Sequence, residues 1–496
     1  MIKVLAMKEL LDQLSSPKFV FLFAVSTVLV VFSLYTGSSA YVGARSEFQA
    51  TQRLSRTELE NRRGYDEVSQ FGVKVARQPA PLSSVAGGVS SALGRSARVR
   101  PETQPEYSPA PLAETPVLAV LGELDFNVVA RVFLSLFVLL LTYNAVAGEK
   151  EGGTLKAVLA NPVPRTQVLL GKALGLFGTL LAAVVIPSVL GLLVMKVGFG
   201  VALGAGEWVR VLGIGLATLL YLLAIFAVGL LVSTLTTRSS VAFLVLLLIW
   251  VGFVEVIPKA SPMLAGQIRP APSFASLQSE RDRIQAEFQQ GFFRGMSGAF
   301  SHIQGPVNTI EESDARQRTI DSTMNRMRDS LGQQRDAKLL RLEESYRNRQ
   351  DAMTRLALVF ARLSPAAAMS HAVEVMAGTD FDMQRRWRDD LVAYRGQLEQ
   401  FLRSKGVQFG GFRVAIRSAT TTRSGGSGQS NTTIRFGGPT SDDARLDIAS
   451  VPSFTVRPES FLSALGRAAP DLVIMGFWAA GALLLAFSKF LKYDVR

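Results

Sequence analysis

The chain has 496 residues, 48% hydrophobic and 19% charged, with a formal net charge of +13. It holds no cysteine and two histidines, His302 and His371, which excludes disulfide frameworks, thiol nucleophiles, iron–sulfur centres and His-rich zinc sites. The positive balance comes without a nucleic-acid fold signature or an aromatic–basic repeat, so no nucleic-acid partner is expected; basic residues beside long uncharged runs fit cytoplasmic loop ends and lipid headgroups.

Residues 1–17 open the chain with an amphipathic pattern: Met7, Leu10, Leu11 and Leu14 fall at helical spacing, opposite Lys8, Glu9, Asp12 and Gln13. An interfacial helix in the headgroup plane is expected. A first span follows over 18–36. Ser38-Ser39-Ala40 resembles a signal-peptidase site, but the amphipathic lead and the length of the apolar run favour a retained anchor. Further spans are expected at 126–147, 169–194, 208–235, 241–257 and 472–490, each long enough to cross a hydrocarbon core of about 30 Å.

Lys and Arg set the orientation. Lys3, Lys8, Lys18, Lys150, Lys156, Arg165, Lys172, Arg238, Lys489, Lys492 and Arg496 gather at one set of ends, while the opposite loop, Gly198 to Glu207, has none. The expected fold is therefore an all-α polytopic membrane protein with six transmembrane helices, both termini cytoplasmic, and a tail at 491–496. Two insertions, 37–125 and 258–469, fall outside and are expected to form one composite, mainly helical (α+β) extracytoplasmic domain. Within them, Ser46 to Gln70 reads as helix, Val73 to Gly94 as turns and short strands, and about 310–363 as one long helix. Its apolar seam from Ile320 to Leu363 is broken by Gln334 and Lys338. Met383 to Lys405 is a further helix. The Gly/Ser/Thr-rich stretch Ser418 to Asp443 is expected to be a flexible loop or hairpin tip.

The segment 148–168 carries the most information. Thr154 is placed to cap a short helix on which Leu155, Val158 and Leu159 share a face. Pro162 and Pro164 end it, and Gly152-Gly153 uncouple it from the second span. A short helix with an apolar face beneath the membrane suits a groove on a cytoplasmic partner. It equally suits an ordinary interfacial loop, and the residues alone do not choose.

The run from Gly148 to Lys172, GEKEGGTLKAVLANPVPRTQVLLGK, resembles the signature of the type-2 permease class of ATP-binding-cassette (ABC) exporters. That signature combines an acidic-Gly-Thr-Leu element, a Pro-x-x-Arg-like element and a Gly-Lys opening to the next span. Arg77-Gln-Pro-Ala-Pro-Leu-Ser with Gly87-Gly88, Leu124-Asp125-Phe126 and the terminal Tyr493-Asp494-Val495-Arg496 resemble a subgroup with large extracytoplasmic insertions. The resemblance implies an inner-membrane permease. Its segment 148–168 would be a coupling helix contacting cytoplasmic ABC ATPase subunits through Glu149, Glu151, Gly152, Thr154, Leu155, Leu159 and Arg165. The additional Gly153, and Ala157-Val158 where bulkier residues are common, depart from the family pattern. The resemblance further implies a homodimer or a pairing with a related permease, contact with membrane lipids, and a periplasmic partner for the outer domain. No cofactor is expected in this chain; ATP and Mg would belong to the partner ATPase.

A nucleotide loop is excluded directly: Gly171-Lys172 is followed by Ala173, is preceded by Thr166 where the first Gly is needed, and opens an apolar helix. Nor is there a Gly-x-Ser-x-Gly elbow or a His-Glu-x-x-His, so an enzyme is not expected. Glu255, at the outer end of span five, is a candidate gate or membrane ion pair with Arg131 or Arg210. Pro187 is a candidate kink, and Gly171, Gly175 and Gly178 suggest close helix packing. The leading reading is the permease half of an ATP-driven transporter. A mechanotransmitting subunit whose outer domain acts on an envelope partner, and a membrane-anchored binding or sensing protein, stay open.

Overall fold

The computed structural model describes residues 2–90, 93–101, 103–108, 124–160, 163–301, 310–407, 413–418, 432–437, 446–457 and 459–492. Helix α1 (Ile2–Leu14) packs on a neighbouring span. It seats on a glycine stripe of α7 (Arg165–Gly198). A Cβ at Gly171 would lie 2.6 Å from that of Leu5, and one at Gly175 would lie 2.6 Å from that of Glu9. The stripe therefore permits an approach that any larger residue would block.

Helix α2 runs without interruption from Pro17 to Glu60. Ser16 caps it, its hydroxyl accepting from the Phe19 amide at 3.2 Å, and Pro17 supplies a preset first turn. The expected first span and the helix expected from Ser46 are thus largely one rod. A break at 61–64 leads to α3 (Tyr65–Phe71) and a three-stranded antiparallel sheet. Its strands are β1 (Val73–Ala76), β2 (Ser96–Val99) and β3 (Glu106–Tyr107), in register Val73 to Val99 and Ala97 to Tyr107.

The second span, α4 (126–142), is capped by Asp125, which accepts from the Val128 amide at 2.8 Å, and contains a π turn at Val129–Leu134. Two short helices, α5 (Ala147–Glu151) and α6 (Thr154–Leu159), precede α7. Then come α8 (Ala205–Leu235) and α9 (Ser239–Ile268). Among the described residues, six helices, α14 (Phe461–Leu491) included, are long and apolar enough to cross a membrane. Helices α8 and α14 pack along each other at the heart of the bundle.

Outside the bundle, α10 (Phe274–Ser301) and α11 (Ile310–Ala361) form a helical hairpin. The polar position Lys338 that interrupts the apolar seam pairs with Glu287 at 2.8 Å, so the seam is closed there by charge. Helix α12 (Pro365–Ala377) starts on a Ser364 cap, ends at left-handed Gly378 (φ +73°), and packs on α8 and α14. Helix α13 (Phe381–Ser404) lays Trp387, Leu391, Tyr394, Leu398 and Leu402 against Val73, Val75, Ala97 and Val99 of the sheet. The two inter-span insertions therefore share one core.

The stretch expected as a flexible loop or hairpin tip contains a strand that belongs to an antiparallel pair. β5 (Thr432–Gly437) pairs antiparallel with β4 (Arg413–Ser418), because Thr-Thr-Ile-Arg-Phe carries β-branched and aromatic residues inside a Gly/Ser-rich frame. The remainder of Ser418 to Asp443, Pro162 and the terminal Tyr493–Arg496 lie outside the described residues.

Candidate functional site

Of the basic residues that mark one side in the sequence, Lys18, Lys150, Arg165 and Lys172 come together around α5 and α6. Gly153 adopts φ +72°, a left-handed conformation natural to glycine, and takes the N-cap position of α6. Thr154 is not the cap. It occupies the first helical turn, and its hydroxyl donates weakly to the Glu149 carbonyl at 3.4 Å. A Cβ on Gly153 would meet nothing within 4 Å, so conformation rather than space demands glycine there.

The loop is fastened to the ends of the surrounding spans. Where the chain breaks between α4 and α5, the buried Ser233 hydroxyl of α8 accepts from the Val146 and Ala147 amides, each at 3.0 Å, and donates to the Tyr143 carbonyl at 3.0 Å. Lys150 donates to the last carbonyls of α8, at Thr234 and, at 3.2 Å, Thr236. The Glu151 carboxylate accepts from the Ser239 amide at 2.9 Å, placing negative charge on the N-terminus of α9. Glu149 pairs with Lys172 of α7 at 2.9 Å, and Lys172 reaches Glu9 of α1 at 3.5 Å. Arg165 donates to the Leu491 carbonyl at 2.9 Å, at the C-terminus of α14. On α2, Lys18 bonds to the Leu140 carbonyl and lies 4.4 Å from the Tyr143 ring.

The expected coupling residues are thus brought together, but in two roles. Leu155 is 1% exposed and belongs to the core of the bundle, while Gly152, Gly153, Thr154, Lys156 and Ala157 face outward. The side chains of Val158 and Leu159 lie outside the described residues. Ser233 and Ser239 were not singled out from sequence, and Lys150 was singled out only as a mark of the basic side. Ser233 is a hydroxyl in an apolar run, and only its partner, 87 residues away in the chain, gives it meaning.

Among the described residues, Glu255 forms no ion pair with Arg131 or Arg210. Glu255 pairs with Lys259 one turn along its own helix at 2.5 Å, and both are partly exposed. The Arg131 carbonyl accepts from the Tyr221 hydroxyl at 2.9 Å, and its charge acts on Glu374. Arg210 donates to the backbone carbonyls of Met376 at 3.0 Å and Glu459 at 2.6 Å. Pro187 is buried inside α7 and withholds a donor from the Ala183 carbonyl.

A buried ion pair on a candidate span was missed. Asp471 of α14 is fully buried and takes Arg362 at 2.8 and 3.3 Å and His371 Nδ1 at 2.7 Å. Arg362 stands just after α11, so this carboxylate ties the foot of the outer hairpin to a span. Nearby, the buried Glu374 carboxyl is pushed up to about 7 by desolvation, eased by His371 and reinforced by Asp125 and Asp380. Among the described residues, no group of three or more His, Asp or Glu is arranged to hold a metal ion.

A family described as ABC-2 family transporter protein matches residues 3–495. A probable ABC transporter permease protein NosY of Stutzerimonas stutzeri is 42% identical over 73 residues, which is 15% of this chain and 22% of that protein. Its counterpart in Pseudomonas aeruginosa is 52% identical over 46 residues, 9% of this chain and 17% of that protein. The chain thus spans about a fifth of the length of those relatives. With the family match running over nearly the whole chain and six candidate spans in the bundle, the protein belongs to the ABC-2 family of transporter proteins, as a membrane permease subunit.

Proposed function

We propose that this chain is the permease half of an ATP-driven exporter of the cytoplasmic membrane, with α6 as the docking element for a separate cytoplasmic ATPase. Permeases of this family pair with ATPase subunits. The observation that carries the reading is the fastening of one exposed helical turn to the ends of the surrounding spans. A push on α6 is borne by Leu155 into the core and by Lys150, Glu151, Glu149 and Arg165 into α8, α9, α7 and α14. Differential contact of α6 with two ATPase states then supplies the bias any driven conformational change requires. Two copies of the chain, or one copy and a related permease, complete the assembly, with the sheet and the α10–α11 hairpin outside.

The test is co-purification with the cognate ABC ATPase. Lys156→Glu with Ala157→Asp alters the exposed face and leaves Leu155 and the span ties in place. The expected result is loss of ATPase from the purified permease at an unchanged melting temperature. Retention of a fully coupled ATPase would overturn the assignment of α6.

A second reading is favoured by one specific feature. Helix α11 has 52 residues, about 78 Å at 1.5 Å per residue, and its foot is tied to α14 through Arg362 and Asp471. Such a rod suits transmission of motion to an envelope partner. A substrate held among the spans supports export; a partner bound to the hairpin, with ATP turnover but no flux, supports mechanics.

A further inference from the structure

At the end of the bundle away from α6 lies a cavity of about 360 Å³. The outer part of α2, the Arg77–Ser83 turn, the start of α8, the turn from α12 to α13 and the lead into α14 all meet there. Five arginines and two glutamates line it. Most of these charges are accounted for. Arg210 is held by two backbone carbonyls. Arg386 meets Glu459 at 3.0 Å and Asp380 at 3.8 Å, and Arg467 shares both of these carboxylates and adds Asp382 at 3.0 Å, so these two guanidinium groups are matched by three carboxylates.

Arg77 is different. It is 7% exposed, and among the described residues no carboxylate lies within ion-pair range of it. Its side-chain hydrogen bond goes to the Met383 sulfur, a weak acceptor. Its near cationic neighbour is Arg95, whose own partner, Glu47 at 3.5 Å, is a half-exposed surface group. Burial, then the charge of Arg95, holds Arg77 down to about 10, which leaves it cationic at neutral pH. A guanidinium kept this deep beside a thioether and a like charge is costly unless an anion completes the site. Exposed Arg457 adds a third cation on the cavity wall, also without an ion pair among the described residues.

We infer that this cavity is a binding site for a phosphate group, held by Arg77 and Arg95 with Arg457 beside them. Guanidinium forks match tetrahedral oxyanions with paired N–H bonds. The apolar part of the wall, including Tyr41, Leu82, Trp387 and Phe461, suits carbon attached to that phosphate. Phosphate esters can come from a lipid headgroup or from a soluble metabolite, and the wall is compatible with both. This inference stands apart from the docking of α6, since it concerns the opposite end of the spans.

The experiment uses the full-length chain, delipidated in neutral detergent, without any ATPase. One arm titrates inorganic phosphate and glycerol 3-phosphate and reads thermal shift. The other adds phosphatidylglycerol and reads retained lipid by native mass spectrometry. Saturable binding is expected in at least one arm, weakened about tenfold or more by Arg95→Gln or by Arg77→Lys, as loss of a charge-assisted contact implies. Because Arg77 is buried, Arg95, 20% exposed, and the exposed Arg457 provide the decisive pair. If Arg95→Gln with Arg457→Gln folds normally and binds as tightly as the parent chain, or if neither ligand binds saturably, the site is refuted. Binding in the lipid arm alone assigns the phosphate to a headgroup, and binding in the soluble arm assigns it to a free ester. Since no ATPase is present, failure here leaves the coupling role of α6 standing.

Discussion

Asp471 illustrates how one carboxylate can matter in a span. It is fully buried, and two groups from outside the span, Arg362 and His371, converge on it. Removing one partner of such a pair costs about 3–5 kcal/mol when everything is buried. Arg362 and His371 are 25% and 18% exposed, so water relieves part of that. Asp471→Asn should lower the melting temperature in detergent clearly, whereas Glu255→Gln should barely move it, because the Glu255–Lys259 pair is partly exposed. Glu374 makes a different prediction. Burial pushes its carboxyl from the ordinary 4.5 up to about 7 in the folded chain, so between those values the unfolded chain sheds its proton first. Stability should therefore fall as pH rises from about 4.5 to about 7. Glu374→Gln should flatten that slope in pH-dependent thermal melts, even with His371, Asp125, Asp380 and Arg131 still facing the site. An unchanged slope would assign it to another group.

At the scale of elements, the loop between α4 and α7 behaves as one unit because its polar groups are spoken for by its neighbours. Ser233→Ala strands two buried amides at the start of α5, at a cost of about 1–3 kcal/mol for a lost buried acceptor. The expected outcome is impaired ATPase coupling with the six spans still inserted, read by ATP turnover in the reconstituted complex. Gly153→Val should act similarly through strain at φ +72°, about 1–2 kcal/mol. The spans themselves were legible in sequence, since an uncharged run of that length has few other uses. Gly152-Gly153 was legible as a break, because glycine pairs signal backbone freedom. Thr154 as a cap was not borne out. The rule that hydroxyls cap helices yielded to a residue that could adopt a positive φ. The inward aim of Leu155, the clasp at Ser233 and the pairing of Asp471 were beyond reach for a common reason. Each depends on a partner far along the chain, and local pattern carries no information about it.

At the scale of the molecule, the bundle and the outer core are joined by few elements. The sheet and α13 form one core, while the α10–α11 hairpin is fastened at its foot by Asp471. Excising the outer part of the hairpin, about residues 285–340, should leave the melting temperature of the bundle and ATPase binding intact. Loss of the cellular phenotype with both retained would assign the hairpin to an outside partner.

Helix α2 adds a consequence of simple leverage. Beyond residue 36 it continues for 24 residues to Glu60, about 36 Å of unbroken helix. The sheet is attached to that outer arm, with Ser55 donating to the Lys74 carbonyl at 2.6 Å and Glu58 pairing with Arg98 at 3.4 Å. If the rod tilts by about 10° within the bilayer, its tip sweeps about 6 Å, given that rise per residue. A small rotation at the membrane would thus become a displacement larger than a helical turn at the far end, with no hinge needed in between.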